Sequence, residues 1–456
     1  MPDRPNLIVF LTDDHAQWAL PCYGNREIHA PNLDYLAETG VLMANAFTPT
    51  PVCSPARASF WTGLYPSQHG VHDYLAEHED EIGSRNWLED RTTLAQMLQE
   101  TGYETAFCGK WHCGLGEVPK EGFDFWYSAW RQTPKYHQPT AKYSNQGEVE
   151  TKRGYDTQII TDAALSFLRR ERDQPFFLFV GFATTHGPWV NRAERLVSRY
   201  RKAGFQDIPD DPFYPFGLEG DTPKRPADPP EVAAQYYASV SQIDEMVGRV
   251  LDELDALGVR DETLIAYTSD HGLNLGHHQV WGKGNATRPL NMLEESIRIP
   301  LLLNGPGLPG GAVRHAFINH TDLFMTLLDY AHAMPEDRSS YPGRSYKALL
   351  EGSEPDEGRE VHIGEYGPVR MARDRRYKLI LRHPDGPHLL FDLEKDPREH
   401  HNLYGQALYQ PLIERLRHQI DAFFSRYQDP DQSGLKPRLA KHNTAAAWDN
   451  RAEKGH

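Results

Sequence analysis

The sequence predicts an α/β fold, with a large mixed, mostly parallel sheet flanked by helices, followed by a smaller antiparallel sheet and a closing helix. Three observations carry this. Continuous apolar runs of strand length, Asn6–Leu11, Pro175–Ala183 and Thr263–Ser269, read as parallel strands buried on both faces. Stretches of helical apolar spacing lie between such runs, as crossovers between parallel strands require. Beyond residue 346 the pattern changes to short runs parted by turn signals: Val361–Ile363, Val369–Ala372, Tyr377–Leu381 and Leu389–Leu393, then a helix over Gln410–Tyr427. The expected division is therefore a large α/β domain over 1–345 and a smaller α+β domain over 346–456, with a polar tail from about Asp429.

Composition narrows the partners. The chain has 456 residues, with 48 basic against 64 acidic side chains and a formal net charge of −16. That balance disfavours nucleic acid or an anionic membrane surface as the main partner. No apolar run approaches the roughly 20 residues of a spanning helix. Met1–Asn6 leads into the first strand without a basic, then apolar, leader, so the expected location is cytoplasmic. Four cysteines in so long a chain fit a reducing compartment rather than a disulfide framework. Cys22, Cys108 and Cys113 read as buried thiols; Cys108 and Cys113 lack the second ligand pair that zinc would need.

The first strand ends in Thr12-Asp13-Asp14-His15. Ligands of open α/β sheets bind at strand carboxyl ends, and adjacent carboxylates there favour a shared hard cation. The plain alternative is an acidic helix cap. A helix over Pro31–Gly40 and a strand over Val41–Phe47 follow, leading into a loop that carries Cys53. Pro55 suits a first helical turn, which places Cys53 near a helix N-terminus that favours an anion. Arg57, one turn on, can brace the loop or meet that anion. Thr93–Thr101 reads as a helix and Gly102–His112 as a strand and turn.

Residues 122–150 read as irregular and aromatic, with Phe123, Phe125, Trp126, Tyr127, Trp130, Tyr136 and Tyr143. Such rings more often pack a loop than stack on a sugar or aryl group. Thr161–Arg172 is an expected helix, and the strand after it runs into Thr184–Pro188. A Pro- and Asp-rich loop spans 204–231, and Glu231–Leu257 is an expected long amphipathic helix. The strand Thr263–Ser269 ends in Asp270-His271-Gly272, repeating the acid-at-strand-end logic of Asp13 and Asp14. Gly276–Gly284 is a glycine-rich loop with Lys283, Arg298–Leu303 a strand, and Asn319–Leu328 a helix.

Pro51-Val52-Cys53-Ser54-Pro55-Ala56-Arg57, continuing to Thr62-Gly63, resembles the signature of type I sulfatases of the alkaline phosphatase superfamily. Gly102-Tyr103-Glu104-Thr105 leading to Gly109-Lys110-Trp111-His112 resembles their second signature. His186 and Pro188 keep places in a family turn whose first proline is replaced by Thr185. Asn319–Leu328 and Asp396–Leu403 also resemble the family, with Met325 at a frequent proline position.

The resemblance implies an alkaline phosphatase-like fold and a calcium ion held by Asp13, Asp14, Asp270 and the side chain at 271. It implies that Cys53 is converted to formylglycine by a formylglycine-generating enzyme and acts as a hydrated aldehyde on the metal. Arg57, Lys110, His112, His186 and Lys283 are the implied catalytic residues. His271 stands where many members carry asparagine, and imidazole leaves manganese or magnesium open. Formally, three aspartates and a dication leave about −1, and Arg57, Lys110 and Lys283 bring the pocket to about +2, suited to a monoanionic sulfate ester. A carbohydrate sulfate is the favoured substrate because of the aromatic stretch, ahead of aryl or alkyl sulfates. The alternatives are a phosphonate or phosphate ester hydrolase of the same superfamily, or an unmodified anion-binding protein.

Overall fold

The computed structural model describes residues 4–76, 83–130, 138–212, 214, 225–353 and 359–436. Tyr136, part of the loop at 204–231 and the tail from 437 lie outside the described residues. In chain order the first strands are β1 (Asn6–Thr12), β2 (Val41–Phe47), β3 (Glu104–Gly109), β4 (Phe125–Ala129), β5 (Gln138–Asn145), β6 (Glu148–Gly154), β7 (Phe176–Gly181) and β8 (Thr263–Ser269). A two-residue ribbon, β9 (Asn274–Leu275) and β10 (Trp281–Gly282), precedes β11 (Leu301–Asn304) and β12 (Ala312–Asn319).

All but the ribbon join one ten-stranded sheet in the order β12-β2-β11-β8-β1-β7-β3-β4-β5-β6. The centre is parallel, β8, β1, β7, β3 and β4 running together. β11 opposes both of its neighbours, and β5 and β6 form an antiparallel margin. β1 is apolar at every position from Leu7 to Leu11, because one face packs with Tyr236 and the helix Pro229–Ala256 and the other with Phe60, Trp61 and the helix Cys53–Thr62. The register Leu11↔Thr268 and Thr12↔Ser269 sets Asp13 beside Asp270.

Four further strands, β13 (His362–Tyr366), β14 (Val369–Arg373), β15 (Tyr377–Arg382) and β16 (Leu389–Asp392), form an antiparallel meander. One face packs Leu379, Leu381 and Leu390 against Ile413, Leu416 and Ile420 of the helix Gln410–Tyr427. The other packs Met371, Ile380 and Phe391 with Phe47, at the end of β2, and with Val52 and Ala286 of the large sheet's loops.

Three sequence readings need correction. Residues 122–150 are not irregular: Phe125–Ala129 and the following hairpin extend the sheet. The rings of Trp126, Tyr127 and Tyr143 are core rather than a stacking platform, since Trp126 lies 4.3 Å from Phe107 and Tyr127 5.5 Å from Tyr143, ring to ring; Phe123, Phe125 and Trp130 are half-buried. The continuous strand expected from Arg298 begins at Leu301: Arg298 makes an isolated bridge with Phe47, and Pro300, which has no N–H, interrupts the ladder before Leu301. Cys22 is half-buried rather than buried, whereas Cys108 and Cys113 are buried; all are free thiols.

Candidate active site

Cys53 is the first residue of the helix Cys53–Thr62, with Val52 extended before it. Its Sγ points to the crevice where β1 and β8 end: Asp13 Oδ1 is 3.4 Å away, His271 Nε2 3.3 Å and Lys283 Nζ 3.0 Å. In a converted residue this sulfur marks the position of the aldehyde or diol oxygen. Although burial opposes a charged sulfur, Lys283, Lys110 and His271 hold the Cys53 thiol well below the usual range. A negatively charged oxygen at this position would meet the same field.

Each acidic residue is held by name. Arg57 Nε donates to Asp270 Oδ2 at 2.9 Å, its Nη2 reaches Asp13 Oδ2 at 3.4 Å, and its Nη1 donates to the Lys110 carbonyl at 2.9 Å. Lys110 Nζ pairs with Asp13 Oδ2, and Lys283 Nζ with Asp14 Oδ1 at 2.8 Å. His271 Nδ1 donates to the Gly272 carbonyl at 2.9 Å, leaving Nε2 turned toward Cys53. Arg57 is thus a brace for the carboxylates. Gly109 makes room for this: at φ 128° a Cβ there would stand 2.0 Å from the Gly181 carbonyl oxygen, so only glycine lets β3 close on β7 beside Lys110.

His112 and His186 flank the centre. His112 Nε2 bonds the Leu75 carbonyl at 3.0 Å, and its side chain helps lower the Cys53 pKa. His186 Nδ1 donates to the Gly187 carbonyl at 2.6 Å and lies 3.8 Å from Asp14 Oδ2. All the residues singled out by sequence therefore fall around one point, with His186 at its more open side.

Sequence reasoning missed the layer behind them. Tyr236 donates to the Asp14 carbonyl at 2.9 Å, Thr185 Oγ1 to the Asp13 carbonyl at 2.6 Å, and His15 N to Ser269 Oγ at 3.0 Å. Tyr236 carries no local signal, because it reads as one more core position of its helix.

Ligand atoms of Asp13, Cys53, Asp270 and His271 all lie within 4.8 Å of one another, and those of Asp13, Asp14 and His186 form an overlapping group. This donor set fits a divalent cation. Burial and then the charge of Asp13 push the Asp270 carboxyl up, while burial is overcome at Asp13 by Lys110, His186 and Lys283, which hold it down. Arg57, Lys110 and Lys283 stand against the three carboxylates one for one, and the carboxylate oxygens gathered at this point are the donors a hard dication takes.

A buried cysteine at a helix N-terminus, beside a cluster of carboxylates at parallel strand ends, is an arrangement able to face an anionic ester and a divalent cation on an α/β frame. Residues 5–333 match the family model described as Sulfatase, and residues 288–426 the one described as N-sulphoglucosamine sulphohydrolase, C-terminal. The chain belongs to the sulfatase family and is a sulfuric ester hydrolase. It is 30% identical to an ulvan-active sulfatase of Formosa agariphila, over 92% of this chain and 80% of the relative. It is 28% identical to an N-acetylglucosamine-6-O-sulfatase of Bacteroides thetaiotaomicron, over 96% and 89%. A solved structure of a protein in complex with its substrate D-glucosamine-2-N,6-O-disulfate superposes with a TM-score of 0.78 at 25% identity, covering 94% of this chain and 99% of that one.

Proposed function

We propose that this sulfatase cleaves sulfate monoesters of carbohydrates, using formylglycine formed from Cys53. The observation that carries the reading is the position of Cys53 Sγ, at a helix N-terminus and within 3.4 Å of Asp13, His271 and Lys283. The named activities of the two relatives and the sulfated glucosamine named as substrate of the superposed structure favour a sugar; Trp126, Tyr127 and Tyr143 of the aromatic stretch do not contribute, because their rings are core.

Asp13, Asp14, Asp270 and His271 would hold the dication, with the side chain at 53 facing it. When bound, the ion supplies Lewis acidity and charge neutralisation at the ester and at its nucleophile. Conversion of Cys53 supplies a nucleophile that can release sulfate without waiting for water.

The chain's own groups do the rest. Arg57 fixes Asp13 and Asp270 in one geometry, so neither needs to reorient as charge develops. Lys283, in contact with both Asp14 and Cys53 Sγ, serves as one cation for the forming sulfate oxygens. Lys110, on Asp13, adds a second. His112, within hydrogen-bond reach of the side chain at 53, orients the nucleophile. His186, fixed through Nδ1 on the Gly187 carbonyl, protonates the leaving oxygen.

The test is a side-by-side comparison of kcat/KM on sugar 6-, 4-, 3- and 2-sulfates, 4-nitrophenyl sulfate, choline sulfate and a phenyl phosphonate monoester. Protein is co-expressed with a formylglycine-generating enzyme. The reading expects a sugar sulfate to lead; a lead by the phosphonate ester would replace it with phosphonate hydrolysis.

A further inference from the structure

The chain segment after the Cys53 helix returns to the pocket it serves. Leu75 N donates to Ser54 Oγ at 3.0 Å, and the Leu75 carbonyl bonds His112 Nε2 at 3.0 Å. Asp73, two residues earlier, is therefore tied to the neighbours of Cys53. It is a buried carboxyl with 1% exposure. Tyr366 Oη donates to its Oδ1 at 2.5 Å and Tyr74 N to the same oxygen at 2.8 Å.

Tyr366 comes from β13 of the C-terminal sheet and presses on the Lys283 turn. A Cβ on Gly284 would stand 3.1 Å from its ring and 2.5 Å from Pro51 Cγ. Asp73 thus lies where the Cys53 helix, the Lys283 turn and the C-terminal sheet meet. Both of its hydrogen bonds converge on Oδ1, and among the described residues Oδ2 accepts from none. Burial pushes the carboxyl up to about 7, the Arg288 charge lowers it, and the charge at Cys53 reaches it.

A carboxyl oxygen with no donor among the described residues, on a side chain otherwise buried beside the Cys53 pocket, is a place for a donor on the ligand. We infer that Asp73 is a substrate-contacting residue whose Oδ2 accepts a hydrogen bond from a hydroxyl or amine carried next to the sulfate ester. Tyr366 is the positioning residue that aims it. The assignment deepens the carbohydrate reading and rests on it, since aryl and choline sulfates carry no such donor. It makes the junction of the two sheets a specificity element, because neither Asp73 nor Tyr366 reaches this arrangement alone.

The experiment uses the sugar sulfate turned over fastest, its analogue with the hydroxyl beside the ester replaced by hydrogen, and 4-nitrophenyl sulfate. Asp73→Asn is expected to lower kcat/KM on the sugar sulfate at least about tenfold more than on the aryl sulfate, as a site built for a donor discriminates against its loss. Replacing the hydroxyl should cost the wild type a similar factor and cost Asp73→Asn nothing further. Equal losses on sugar and aryl sulfates, or the same deoxy penalty in both proteins, overturns the assignment while the carbohydrate reading stands. A wild type that turns over no sugar sulfate overturns that reading first and the Asp73 assignment with it. Should Asp73→Asn melt early, Tyr366→Phe keeps the ring and removes the aiming bond; an unchanged sugar-to-aryl ratio there overturns the proposal.

Discussion

At the scale of single residues, the pocket sorts its cations into different tasks. Arg57, fully engaged with Asp13, Asp270 and the Lys110 carbonyl, braces the carboxylates, whereas Lys283 touches both Asp14 and Cys53 Sγ. Asp270→Ala leaves Arg57 without its 2.9 Å partner and takes one oxygen donor from the cluster. Metal content measured on the purified variant by mass spectrometry should fall to near zero with activity, while circular dichroism keeps the wild-type spectrum; full metal content would place the cation elsewhere. His186 gives a different signature. A nitrophenolate leaves without a proton and a sugar alkoxide does not, so His186→Ala should cost about 100-fold on a sugar sulfate and less than about tenfold on 4-nitrophenyl sulfate. Equal losses would remove its role as acid. Conversion of Cys53 has its own readout: an aldehyde-reactive probe should label wild-type protein at position 53 and leave Cys53→Ala unlabelled, with turnover proportional to the labelled fraction. High turnover from protein carrying only the thiol would transfer the nucleophile's role to another group.

At the scale of elements, the site was legible wherever chemistry sat at the end of an apolar run. Asp13-Asp14 and Asp270-His271 each close such a run, and β1 and β8 prove to be adjacent and in register. Pro55 after Cys53 likewise announced a helix start, and the helix begins at Cys53. What was not legible is pairing between distant segments. β5 and β6 carry Lys142, Glu148, Glu150 and Lys152, which look like a solvated loop because this margin of the sheet faces solvent. The antiparallel sense of β11 and the partnership of Asp73 with Tyr366, 293 residues apart, depend on the assembled sheets and leave no local trace. The close approach of β3 to β7 is an element-level property that can be tested. Gly109→Ala sets a Cβ 2.0 Å from the Gly181 carbonyl oxygen in a left-handed backbone, a strain of order 1–3 kcal/mol before any clash is relieved. The expected outcome is a lowered thermal midpoint together with a lower kcat, since Lys110 follows directly; an unchanged midpoint would mean that the strands part without cost.

At the scale of the molecule, the C-terminal sheet is fastened to the segments that flank the Cys53 helix. Tyr65 Oη donates to the Ile363 carbonyl at 2.8 Å, Ser67 N to Glu365 Oε2 at 2.8 Å, and His362 Nε2 to the Thr48 carbonyl at 3.1 Å. His362 also stacks on Phe47 with ring centroids 4.7 Å apart. Burial first, then Arg359 and Arg373, push its pKa down to about 3, so the ring is neutral in the folded protein throughout the neutral and mildly acidic range. An unfolded histidine takes its proton near 6.5. As pH falls through 6.5, the unfolded chain therefore gains a proton that the folded chain refuses, and stability drains away until about pH 3. At pH 5 this single group costs about 2 kcal/mol relative to pH 7. Asp156 and Asp244, pushed up to about 6 by burial, act in the opposite sense between about 6 and 4, so the total slope mixes both. The difference between wild type and His362→Gln isolates the histidine. The variant is expected to be less stable at pH 7, with a deficit that shrinks by about 2 kcal/mol on going to pH 5, followed by denaturant unfolding at each pH. A deficit that stays constant between the two would mean that His362 is not held neutral at this seam, and that acid loosens the C-terminal sheet through another group.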